Sequence, residues 1–156
     1  MPDDDIVRLT SADNPAQAHL WCEALRGEGI TLLHSPEEYR RATELPRWYP
    51  LIEDLTPRSV WSPGRPDLSE AAGLGWPLFV KGTGQTSHHR RSLSVIDGPE
   101  QFRRAMEAYA RDPVLRHQGV ACREYVRLRL VEDADPGRLP SAFEFRTFWW
   151  RGELAG

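Results

Sequence analysis

Lysine is almost missing from this chain. Of the twenty basic residues among its 156, one is a lysine and the rest are arginines. Long apolar runs are missing too. No stretch approaches the ~20 residues needed to cross a bilayer as a helix, so no membrane partner is expected. The opening Met1-Pro2-Asp3-Asp4-Asp5 is acidic and lacks an apolar stretch, so no secretory signal is read there and a cytoplasmic setting is expected. Cysteine is scarce. Cys22 and Cys122 stand far apart, with neither the spacing of a metal ribbon nor the density of a disulfide scaffold, and free thiols are expected. His19 and Cys22 lie three apart on an expected helix, but no second pair completes a metal site. Positive charge is not in excess. A net charge of −3 and a pI near 6.0 point away from nucleic acid and anionic membranes.

What is present supports a core. Hydrophobic residues make up 40% of the chain and six are tryptophans, enough for one ordinary domain or slightly more. The sequence predicts alternating helices and strands. Asn14-Pro15 opens a helix with Leu20, Trp21, Ala24 and Leu25 as its apolar stripe, and Gly27 and Gly29 stop it. A short strand is expected at 30–33. Ser35 and Glu38 fit a capping box for a second helix that ends near Leu45-Pro46. A strand is expected at 58–61 and a short helix from Asp67. Pro99 opens a helix to about Asp112, with Phe102, Met106 and Tyr109 on one side and the pairs Glu100/Arg104 and Glu107/Arg111 on the other. Further strands are expected at 92–96, 120–130 and 143–150, with Arg151-Gly152 as a turn. The last strand has only a four-residue return before the sequence ends, so the chain is expected to stop in mid-sheet.

The single lysine ends the most strand-like run, Trp76-Pro77-Leu78-Phe79-Val80-Lys81-Gly82. Lysine offers a point charge on a slim stem, suited to a phosphate reached along a narrow path, where arginine offers a wide fork. It is otherwise a solvated surface residue. The loop that follows contains Gly82, Thr83, Gly84, Gln85, Thr86 and Ser87, then two histidines and two arginines. Glycines let backbone N–H groups approach an anion, and hydroxyls add donors; a plain polar hairpin loop is the alternative. The lysine precedes the glycines, so this is not a Walker A loop.

Alternation over 120–130 places Glu124 with Val120, Cys122, Val126, Leu128 and Leu130. A carboxylate in an apolar stripe needs a donor. An amino group on a bound base, an arginine or water would each serve. Over 143–150, Glu144 and Arg146 share a face beside aromatics. They form a salt bridge on a solvated sheet, or Arg146 presents its fork to phosphate oxygens.

In this order and spacing the three segments resemble the ATP-grasp superfamily. The strand ending in Lys81 looks like its phosphate-binding lysine, with residues 82–87 as the covering loop. Cys122-Arg123-Glu124-Tyr125-Val126 looks like the hinge that holds adenine, and Glu144-Phe145-Arg146 like the later strand whose arginine reaches the phosphates. The run from Phe79 to Gly156 is most similar to bacterial proteins of the clade named for one arginine and two lysines, and Thr56-Pro57-Arg58 is similar to the region leading into that fold.

The resemblance implies an α/β protein: the N-terminal portion of an ATP-grasp fold, with a mixed or antiparallel sheet and flanking helices. Residues 1–12 would fray, 13–75 would form a small α/β lead-in, and 76–156 a partial ATP-grasp domain. It further implies ATP as ligand, held by Lys81, the loop from Gly82 to Ser87, Glu124 with the Tyr125 and Val126 backbone, Arg146, and Glu144 as orienter or nucleotide contact. The implied parent activity is ATP-dependent ligation of a carboxylate to an amine or thiol through an acylphosphate. Two departures stand out. The family's further upstream lysine has no counterpart here, so an arginine serves there or the contact is lost. The family's magnesium ligands come from later strands, which this chain is expected to lack. The competing expectation is a non-catalytic interaction module or pseudo-enzyme, whose aromatic C-terminal strand with Phe148, Trp149 and Trp150 meets a second copy or a complementing chain.

Overall fold

The computed structural model describes residues 15–32, 34–84, 90–113, 115–132, 137, 139, 141–145, 147–150 and 152–154. Helix α1 runs over Pro15–Gly27. It closes on Gly29, whose φ of 81° lets its own N–H and that of Ile30 bond back to the Arg26 and Leu25 carbonyls. Ile30 is thereby committed to the helix cap, and of the strand expected at 30–33 the described residues 30–32 form none, residue 33 lying outside them. Nor does the expected stripe face the protein: Leu20 and Trp21 are exposed, and Cys22 is the buried residue.

Helix α2, Pro36–Thr43, starts on the expected capping box. Ser35 Oγ accepts from the Glu38 N–H, and Glu38 Oε2 accepts from the Ser35 N–H at 2.7 Å. Leu45-Pro46 does not simply end this helix. Pro46 lies in the first turn of a new one, α3, Leu45–Ile52, where a missing N–H is harmless.

The main sheet joins β1 (Ser59–Ser62), β2 (Leu78–Gly82), β3 (Val95–Ile96) and β4 (Val120–Glu124) in the order β1-β4-β2-β3. Every pair is antiparallel. Short helix α4, Leu68–Ala72, is capped by Asp67. Segment 92–96 is not all strand: a single helical turn, α5, Arg91–Ser94, precedes β3, and Leu93 N and Ser94 N both bond to the Arg90 carbonyl. Leu93 packs against the core and Ser94 is buried in that turn.

Helix α6, Pro99–Arg111, lies on one face of the sheet. Its Phe102, Ala105, Met106 and Tyr109 pack against Leu78, Val80, Ile96, Val120 and Cys122. The Tyr109 hydroxyl donates to the Val80 carbonyl at 3.0 Å, and burial pushes its phenol pKa upward. The expected pairs Glu100/Arg104 and Glu107/Arg111 form on its outer side, at 3.4 and 3.8 Å. Helix α3 covers part of the opposite face, where Leu45 and Tyr49 meet Ala121, with Trp48 and Trp61 alongside.

Strand β4 stops at Glu124 rather than running to 130. Its neighbours run out: Glu124 pairs with Leu78 and Arg123 with Ser59, the first residues of β2 and β1. Pro77 directly precedes Leu78 and Pro57 stands two residues before Ser59, and proline has no N–H to continue a ladder. Beyond it come two small pairs, β5 (Leu130–Glu132) with β6 (Ser141–Ala142), and β7 (Trp149–Trp150) with β8 (Glu153–Leu154). Of the strand expected at 143–150, the described residues form strand only at Trp149–Trp150. The turn expected after it is present at Gly152, with φ 84°. Much of this region's apolar surface is uncovered, with Phe145 82% exposed and Trp149 64%.

Candidate functional site

The face of the sheet away from α6 builds the site. On β2, Leu78 and Val80 enter the core, so Phe79 and Lys81 turn to the other side. There Phe79 stands opposite Arg123 and Lys81 opposite Ala121. Lys81 and Arg123 are therefore diagonal neighbours, generally about 7–8 Å apart at Cα. Burial holds the Lys81 ammonium below its usual pKa, and the nearby Arg123 charge adds to the effect. Arg123 is also lowered by burial.

Beside these residues a cavity of about 860 Å³ opens at the end of β4. Glu124, Tyr125, Val126 and Glu144 all line it, so two segments singled out from the sequence converge. Phe79, Leu128, Leu130 and Leu139 supply apolar wall, and Arg90 and Arg123 supply charge. The size and mixed lining suit a small organic ligand. Lys81 does not itself line this cavity, but its strand neighbours Phe79 and Arg123 do.

Glu124 is not a carboxylate buried in an apolar stripe. Val126, Leu128 and Leu130 are about half exposed once the strand has ended. The Glu124 side chain is 43% exposed and accepts from Arg58 Nε at 3.2 Å. Of the donors open to it from the sequence, an arginine supplies this one. Its backbone N–H donates to the Arg58 carbonyl at 2.8 Å. Among the described residues no backbone hydrogen bond engages the peptide groups of Tyr125 or Val126.

The root of the loop after Lys81 is firmly tied. Gly82 pairs with Val120, and Thr83 N donates to the Gly119 carbonyl at 2.9 Å. The Thr83 carbonyl accepts from Leu45 N at 2.7 Å, and Gly84 N donates to Gln118 Oε1 at 2.9 Å. The N–H groups of Thr83 and Gly84 are thus spent within the protein. Gln85, Thr86, Ser87 and Arg146 lie outside the described residues. Among the described residues no group of three or more His, Cys, Asp or Glu side chains converges to hold a metal ion. No helix among them is long and apolar enough to cross a membrane.

Arg123 is a site residue that sequence reasoning passes over. Alternation places it with Tyr125 and Arg127, away from the core. The missing signal is pairing: only the β2–β4 register puts it beside Lys81.

No protein-family model matches the sequence, and no curated protein matches it. Among solved structures, a RimK domain protein ATP-grasp from Sphaerobacter thermophilus DSM 20745 shares the fold, with a TM-score of 0.51 at 13% identity. The likeness covers 75% of this chain and 44% of that one. The fold is similar, in part, to that of this ATP-grasp protein. At this identity the likeness is one of fold alone, and the chain spans less than half of that protein's length.

Proposed function

We propose that this chain binds ATP as the nucleotide-holding part of an ATP-grasp ligase. The observation that carries the reading is the cavity in which Glu124, Tyr125, Val126 and Glu144 meet, on the strand pair that also bears Lys81. Adenine would lie between Phe79 and the leucine wall, its amino group and ring nitrogen paired with the peptide groups at Tyr125 and Val126, which have no backbone partner among the described residues. Lys81 would receive the phosphates, with Arg146 and the loop through Ser87 in supporting roles. The parent reaction is transfer of the terminal phosphoryl group to a small-molecule carboxylate, followed by attack of an amine or thiol. A cytoplasmic setting suits an ATP ligand and the buried free thiols of Cys22 and Cys122.

Titration calorimetry with a non-hydrolysable ATP analogue tests this. Saturable binding is expected, weakened at least tenfold by Lys81→Ala, about 1.4 kcal/mol. Absence of binding, or an unchanged affinity in the variant, would overturn the reading.

The exposed Phe145, Phe148 and Trp149 favour a second reading, an interaction module that meets a further copy or a complementing chain. Sedimentation velocity separates the two. A mass that grows with concentration and ignores the nucleotide analogue supports the module.

A further inference from the structure

Two cations, Lys81 and Arg123, share one half-buried face, and among the described residues no carboxylate pairs with either. Like charges side by side repel, and burial removes the water that would screen them. Arg123 is nonetheless held in place. Its Nε donates to Ser59 Oγ at 3.1 Å and its Nη2 to Thr56 Oγ1. The guanidinium carbon lies 5.8 Å from the centre of the Trp48 ring, within the range of a cation–π contact. These partners come from three places: α3, the segment before β1, and β1 itself. They use part of the guanidinium fork and leave the rest unbonded among the described residues. A fixed fork beside a point charge, with repulsion unrelieved, is an arrangement that an oxyanion completes.

We infer that Arg123 is the second cation of this site, a guanidinium fixed by Trp48, Thr56 and Ser59 to receive a phosphate-type oxyanion jointly with Lys81. This rests on the nucleotide reading of the cavity and names a contact which that reading leaves unassigned. The oxyanion is either part of a nucleotide's phosphate chain or free inorganic polyphosphate. Lysine supplies the charge, and the fork supplies the direction.

The chain's single lysine makes the test direct. Lysine labelled with ¹³C at the ε-carbon gives one side-chain signal, whose pH titration reports Lys81 alone. The titratable or charged groups facing this pair are Arg123 from β4 and Tyr49 from α3. Tripolyphosphate, an ATP analogue and adenosine are added in separate arms to the wild-type chain, Lys81→Ala, Arg123→Gln, Arg123→Lys and Trp48→Phe, with calorimetry in place of the lysine signal for Lys81→Ala and Arg123→Lys, whose lysine count differs.

Expected without ligand is a Lys81 titration that moves to higher pH in Arg123→Gln, because a repelling charge is gone. Expected with tripolyphosphate is an upward shift in the wild type, with affinity reduced at least tenfold in Arg123→Gln. Arg123→Lys and Trp48→Phe should fall between. Adenosine should leave the lysine signal unmoved. Wild-type tripolyphosphate affinity in Arg123→Gln would overturn the inference, as would an unchanged Lys81 titration. If the analogue still binds there and still requires Lys81, the nucleotide reading survives that loss. If tripolyphosphate needs both cations while the analogue binds no better than tripolyphosphate, the cation pair stands and the adenine reading falls. Where neither anion binds the wild type, both fall.

Discussion

Cys122 stands in the middle of β4 with its side chain wholly buried among Leu78, Val80 and the α6 aromatics. Burial pushes its thiol up to about 12. An acid whose folded-state pKa is raised keeps its proton in the fold while the unfolded chain gives it up. Its contribution to stability is therefore whole below about pH 9, the ordinary thiol value, and is lost as pH climbs toward about 12. Tyr109 works in the same direction at still higher pH. Denaturant titrations are expected to show stability falling from pH 9 upward, with a shallower fall in Cys122→Ala. A thiol reagent should reach Cys122 only at the rate of unfolding. Glu124 teaches the opposite lesson at the same scale. Its neighbours in sequence describe a buried carboxylate, yet the strand ends under it and Arg58 meets it at the surface. Residue identity was legible there; the surroundings were not, because they depend on where partner strands begin.

At the scale of elements, the readable pieces are those whose signal is local. The capping box at Ser35 and Glu38, the proline start of α6 and its apolar side all follow from contacts within a few residues. The unreadable ones depend on distant chain: the end of β4 set by Pro57 and Pro77, the helical turn before β3, and the interruption after β6. Gly119 is another such case. A Cβ there would lie 2.5 Å from the Ser62 carbonyl oxygen and 3.1 Å from Thr83 Cγ2. The backbone entering β4 passes between the end of β1 and the root of the loop after β2, and only glycine fits. Gly119→Ala is expected to cost about 1–3 kcal/mol in a urea titration. It should also disturb the amide resonances of Thr83 and Gly84, while a control substitution at exposed Gly64, where a Cβ meets nothing within 4 Å, should leave them in place.

At the scale of the molecule, order is unevenly spread. One sheet with α6 on one side and α3 on part of the other holds the buried residues. The chain after Glu124 contributes two-residue and three-residue pairings and exposed apolar side chains. Hydrogen exchange should follow that division, slowest in β2, β4 and α6 and faster in the short pairings β5 to β8. The nucleotide reading adds a sharper expectation: the ATP analogue should slow exchange at the Tyr125 and Val126 amides, and no change there would count against adenine binding at that edge. The mixed α/β class of fold was legible because the strand bearing Lys81, helix α6 and the start of β4 each carry a local pattern. How the segment joins its sheet was less so. β1 belongs to the expected lead-in, yet it pairs with β4 along four residues.

The contact between Trp48 and Arg123 has an optical side. An indole's emission responds to a charge held over its ring, and this indole is also 6.3 Å from the Tyr49 ring, centre to centre. Any anion that draws the guanidinium toward Lys81 changes the field at Trp48. Occupancy of the site would then be written into the protein's own fluorescence, readable without a dye and silenced by replacing this one tryptophan with phenylalanine.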